Sequence, residues 1–159
     1  MADLARVRVW AEALIAMHLT APDARAETPP GDRWTFAFDH AKKRAGLCNY
    51  TDRRITVSRY LAEKFADDEI HQVLLHEVAH ALAGPAAAHG PRWKAIAEEI
   101  GYVGGVTHRG EIAHERATWV GTCDAGHEHF RFRKPTRVHS CGACARRFSP
   151  RHVITWRRR

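Results

Sequence analysis

The sequence predicts an α+β domain followed by a small β module. Three observations carry this reading. Apolar residues recur at both helical and alternating spacings within the first hundred positions. From residue 118 onward the pattern changes to short β-like pieces. Three of the four cysteines, Cys123, Cys141 and Cys144, also fall in that last stretch. The length of 159 residues suits one ordinary domain with an appendage. With 45% apolar and 27% charged residues, the composition excludes wholesale disorder.

The elements follow in order. Residues 3–18 are predicted as an amphipathic helix, because Leu4, Val7, Trp10, Ala11, Leu14 and Ile15 return to one face. Pro22, Pro29, Pro30 and Gly31 mark a long loop. Trp34, Phe36 and Phe38 alternate with Thr35 and Ala37, the pattern of a half-buried strand. Residues 41–46 are basic and read as a turn, and a second strand follows over 54–58 with Ile55 and Val57 on one face. Residues 60–65 make a short helical link.

Asp67 and Asp68 are placed to cap a helix over 69–83, ended by Gly84-Pro85. Pro91, suited to a first helical turn, starts another helix that finishes at Gly101. Gly104-Gly105 and the polar stretch 107–115 read as a linker. The expected division is therefore 1–105, a linker 106–115, and 116–159. Within the last part, strands are expected at 118–122, 129–133 and 137–140, with Arg157-Arg158-Arg159 as a basic tail.

The longest aliphatic run, residues 13–17, is far short of the roughly 20 residues that cross a bilayer. The N-terminus imitates a signal peptide through Arg6, Arg8 and Ala24-Arg25-Ala26, but Glu12 and His18 interrupt the apolar patch. A cytoplasmic protein without a membrane partner is expected, monomeric, and nucleoid-associated if bacterial. Charge separates the two parts. Residues 1–105 hold 13 basic and 14 acidic residues, net −1, whereas residues 106–159 hold 12 and 4, net +8. Such asymmetry points to a polyanionic partner for the C-terminal part, with nucleic acid ahead of an anionic membrane.

The run His76-Glu77-Val78-Ala79-His80 is an HExxH motif. On a helix, residues four apart share a face, so both imidazoles can reach one Zn²⁺. Glu77 is offset by about 100° and can stand beside the metal as general base without binding it. The motif lies in an apolar stretch with Val73, Leu74, Val78, Ala81 and Leu82. Ionisable groups there are costly unless paired or metal-bound. A catalytic zinc needs a third protein ligand and an open position. His89, beyond the Gly84-Pro85 turn, is favoured over Glu98 or Glu99, and His71 falls close to the opposite face.

The order Ala45-Gly46-Leu47, Cys48-Asn49-Tyr50, Ile55-Thr56-Val57-Ser58, His76 to Ala81, and His89-Gly90-Pro91-Arg92-Trp93-Lys94 resembles the SprT-like metalloprotease family over about residues 34–104. The resemblance implies a compact zincin-like protease fold. It also implies His76, His80 and His89 as zinc ligands with Glu77 as general base, and substrates that are DNA-bound or DNA-crosslinked proteins.

Cys141-Gly-Ala-Cys144 is a C-x-x-C knuckle, and Cys123 is the one upstream thiol near it. With His127, which follows Gly126, these residues make a closed Cys₃His site for a structural Zn²⁺. His129 and His139 compete for the fourth place, and a disulfide is the bland alternative. Many SprT-like proteins carry a C-terminal zinc ribbon, usually of four cysteines, so His127 departs from that pattern. Two zinc ions are expected in all. Arg131, Arg133, Lys134, Arg137, Arg146 and Arg147 interleave with Trp119, Phe130, Phe132 and Phe148. That mixture suits phosphates and unpaired bases, so single-stranded or junction DNA is the expected partner. Cys48 reads as a small buried hydrophobe. Two other classes compete, a nucleic-acid-binding zinc protein with an inactive HExxH site and a protease whose basic ribbon grips an acidic protein.

Overall fold

A computed structural model of the chain describes residues 2–20, 32–104 and 114–159. The proline-marked loop at 22–31, the Ala24-Arg25-Ala26 echo and most of the expected linker lie outside the described residues. The chain divides into two compact units, Met1–Ile112 and Ala113–Arg159. Among the described residues no helix is long and apolar enough to cross a membrane.

The first unit mixes helices and strands. Helix α1 (Leu4–His18) starts where the Asp3 carboxylate accepts from the Ala5 and Arg6 N–H groups, satisfying donors that a helix start leaves open. Its Val7, Ala11, Leu14 and Ile15 are buried, as the spacing predicts. Strands β1 (Thr35–Asp39), β2 (Gly46–Asn49) and β3 (Arg54–Ser58) form one sheet in the order β1-β3-β2. β3 is central, parallel to β1 and antiparallel to β2. Bends at 42, 43 and 45 match the expected turn over 41–46 except at Gly46, where the chain becomes extended; β2, which the sequence does not announce, starts there and returns through a tight hairpin. Asn49 shapes that hairpin, accepting from the Asp52 N–H at 3.0 Å.

After the short α2 (Arg59–Ala62), helix α3 (Asp67–Ala83) packs against α1, β2 and β3. Asp67 and Asp68 do not cap it from outside, as expected, but occupy its first turn with Glu69. Three carboxylates there favour the positive end of the helix dipole, and Glu69 accepts from the Ala66 N–H at 2.8 Å. Gly84, with φ of 84°, ends the helix. Helix α4 (Pro91–Glu99) begins at the proline and stops two residues earlier than expected. Ile55, Val57, Ile70, Val73, Leu74, Val78 and Trp93 make the core between sheet and helices, each no more than 2% exposed.

The second unit is a three-stranded antiparallel sheet, β4 (Trp119–Thr122), β5 (Glu128–Arg131) and β6 (Thr155–Arg158), in the order β5-β4-β6. Two expectations change here. The strand predicted at 137–140 is reduced to one bridge, Ser140 to Val153. The presumed basic tail instead supplies β6, which pairs with β4 along its length. Trp156 and Ile154 explain this, since they pack on Cys123, Cys141 and Cys144 and tie the terminus to the small core. His114 and Glu115, expected as linker, instead join Arg116 in a single helical turn within this unit.

Candidate metal centres

α3 places His76 and His80 one turn apart on the same face. The chain then reverses through Pro85–Ala87 into a turn closed by the Gly90 N–H donating to the Ala87 carbonyl at 2.8 Å. Ala88 in that turn has φ 43° and ψ −127°, a conformation ordinarily held by glycine. The bend carries His89 back over α3. The three Nε2 atoms form a triangle with sides of 3.2, 3.0 and 3.1 Å. Glu98 and Glu99 are exposed on α4 and stand outside this cluster, and His71 instead meets the ring of Trp10.

The donor chemistry fits a cation. Each neutral imidazole Nε2 either carries a proton or offers a lone pair, so in a triangle two of three must match. At least one side then sets like against like, and a metal ion at the centre removes the conflict. Tetrahedral zinc with nitrogen ligands about 2.0–2.1 Å away spaces them by roughly 3.3–3.4 Å, close to the observed sides. Burial, reinforced by His89, pushes the His80 imidazole down to about 4, so it is neutral and able to ligate at neutral pH.

Glu77 is buried at 6% exposure beside the triangle. Burial pushes its carboxyl up to about 7, against the opposing pull of the Arg44 guanidinium and the Cys48 backbone N–H. A group poised near neutrality can both accept and return a proton, which is what a general base needs. Trp93 and Tyr102, whose roles the sequence reading missed, wall the site. Trp93 is 2% exposed, and its ring centroid lies 4.7, 5.3 and 4.7 Å from those of His76, His80 and His89. Tyr102 packs on His76 at 5.4 Å. The signal for Trp93 was its position four residues after His89, within the same motif. Tyr50 donates to the His80 carbonyl at 3.1 Å and so ties the β2–β3 hairpin to the metal helix.

A family model described as the SprT-like family matches residues 17–115, more than half of the chain. This chain belongs to the SprT-like family. The match covers His76, Glu77, His80 and His89, and it stops short of Cys123, Cys141 and Cys144. Membership brings a metalloprotease-type function with it. Comparison with curated proteins finds no match.

In the second unit, Cys123, His127, Cys141 and Cys144 converge. The His127 Nδ1 lies 3.6, 3.6 and 3.3 Å from the Cys123, Cys141 and Cys144 sulfurs, and Cys123 and Cys144 are 3.8 Å apart. Tetrahedral zinc with Zn–S near 2.3 Å sets sulfurs roughly 3.8 Å apart and sulfur to nitrogen roughly 3.5–3.6 Å. A disulfide would need about 2.05 Å, and all four cysteines are free. His129 and His139 instead flank Trp156. The six basic residues singled out from the sequence are all exposed, with Arg131 lying over the Trp156 ring at 5.6 Å. Of the interleaved aromatics, Phe148 is the one left open, at 62% exposure. Cys48 is buried, and burial raises its thiol to about 12, in keeping with an unreactive packing role.

The strained turn before His89 carries a testable consequence. Ala88→Gly is expected to stabilise the protein by about 1 kcal/mol in urea unfolding, because glycine adopts that backbone without a Cβ penalty. A destabilised variant would show that the alanine methyl contributes packing that outweighs the strain.

Proposed function

We propose that this chain is a zinc-dependent endopeptidase acting on proteins bound or crosslinked to DNA, with the second unit serving as a zinc ribbon that holds the DNA. The observation that carries the peptidase reading is the imidazole triangle with a buried carboxylate beside it. Zinc bound there would supply Lewis acidity. His76, His80 and His89 would hold it. Glu77 takes the proton of the attacking water and hands it to the departing amine. The Trp93 and Tyr102 rings exclude water from one side of the histidines and so keep the ligands in place.

The DNA part rests on the charge split and on the exposed Arg133, Lys134, Arg137, Arg146 and Arg147, with Phe148 exposed in the same unit. Phosphates would meet the cations, and an unpaired base would stack on the open ring, so single strands or junctions are preferred over duplex. A cytoplasmic, DNA-associated location follows from this reading. The test compares cleavage of one protein substrate free and crosslinked to single-stranded DNA. Faster turnover of the crosslinked form is expected, whereas equal rates would detach the DNA role from the peptidase. Replacing Arg133, Lys134 and Arg137 by Ala should also lower the slope of log affinity against log salt by about 2. An unchanged slope would move DNA contact elsewhere.

A further inference from the structure

β2 is an edge strand, and its backbone explains how Glu77 is held. The Ser58 N–H donates to the Ala45 carbonyl at 2.8 Å, so the hydrogen-bonded pairs with β3 fall at Ala45, Leu47 and Asn49. The N–H groups of Gly46 and Cys48 are thereby turned to the free edge, where that of Cys48 donates to the Glu77 carboxylate. Gly46 lies two residues away on the same face. A Cβ built there would stand 2.6 Å from Glu77 Oε1, 2.7 Å from its Cγ and 2.9 Å from its Cδ. These are the three nearest atoms such a Cβ would meet, and all belong to Glu77.

The backbone itself does not ask for glycine at this position. Gly84, Gly101 and Gly126 have positive φ, and Gly46 does not. Glycine inside a strand weakens it and marks a close approach of another group. Here the approaching group is the carboxylate beside the three histidines.

We infer that Gly46 is a positioning residue for Glu77, its missing side chain being the space in which the carboxylate is seated against the edge of β2. The inference rests on the peptidase reading for its kinetic consequence but not for the contact itself. Any side chain at this position would push the carboxylate away from the Cys48 N–H and out of register with the histidine triangle. A displacement of about 1 Å at a reacting group can cost on the order of a hundredfold in rate.

The test is a pair of double-mutant cycles on the full chain loaded with zinc. In the Glu77 background, Gly46→Ala is expected to lower the thermal midpoint by about 3 °C or more. In the Glu77→Ala background the same change should raise it or leave it unaltered, since alanine suits a strand better than glycine once the obstacle is gone. Gly46→Ala should reduce kcat about ten- to a hundredfold, with KM changed less than about twofold and zinc content unchanged. Added to Glu77→Ala, which removes all three atoms the new methyl would meet, it should bring no further loss of the residual turnover. A rise in the midpoint in both backgrounds, or additive losses of kcat, would overturn the inference. If Gly46→Ala does not fold, recovery of folding by Glu77→Ala supports the contact and continued failure refutes it. If the unaltered protein cleaves no substrate, the peptidase reading fails, and the stability cycle still decides the contact.

Discussion

Glu77→Gln is expected to leave a folded, zinc-loaded protein whose proteolysis falls by about 10² to 10⁴. The substitution is nearly isosteric, so α3 and the three imidazoles keep their places. What disappears is the group that accepts a proton from water. Comparing turnover and zinc content of the two proteins checks this, and wild-type turnover from the Gln variant would remove Glu77 from the mechanism. The metal-free proteins should differ in a second way. The Glu77 carboxyl is pushed up to about 7 from an ordinary 4.5, so the folded state holds a proton that the unfolded state releases between those values. Stability from this group is full below about pH 4.5 and lost as pH rises to about 7. Above pH 7 the metal-free Gln variant should therefore be the more stable, by at most about 3 kcal/mol, and the gap should close at pH 4.5. His80 titrates in both proteins and cancels from the comparison.

The parts of the site that lie on one helix were legible in the sequence because helical spacing alone brings them together. His76, Glu77 and His80 needed only the 3.6-residue period and the apolar stretch around them. His89 was reachable through the glycine and proline that force the chain to turn back, although the strained Ala88 left no trace in composition. By contrast, β2 was not anticipated, and only its first residue, Gly46, fell at the end of an expected turn. Four residues, Gly-Leu-Cys-Asn, carry too little alternation to mark a strand, and its identity comes from pairing with β3. The seat of Glu77 was hidden for the same reason, since Gly46 and Glu77 are 31 positions apart and meet only through the sheet. In the second unit the ligand set followed from the spacing of the thiols, and His127 was favoured by the glycine before it. β6 was missed because three consecutive arginines look like a solvated tail. Trp156 and Ile154 pull that segment back onto the cysteines, a tertiary contact that local pattern does not announce.

Cys141→Ser is expected to abolish the folded second unit while leaving the first intact. Cys141 is fully buried and belongs with Cys123 and Ile154 to the small core, against which Cys144 and Trp156 pack. A unit of this size has little apolar surface to bury, so without metal its folding free energy is near zero or unfavourable. Structural zinc sites supply on the order of 10–16 kcal/mol of apparent binding energy, much of which becomes folding energy. A serine hydroxyl in place of the thiolate forfeits most of that and leaves a polar atom in the core. Zinc content should fall from two ions per chain to one. The amide resonances of residues 114–159 should collapse to random-coil positions while those of residues 32–104 stay. Cleavage of a DNA-free protein substrate should survive, because His76, His80, His89 and Glu77 all lie in the first unit, but affinity for single-stranded DNA should be lost. In the unaltered protein a chelator should strip the imidazole site first, as three neutral ligands hold zinc less tightly than three thiolates and a histidine. A Cys141→Ser protein that still holds two zinc ions, or whose second unit stays folded with one, would show that the Cys₃His cluster is not what holds the ribbon together.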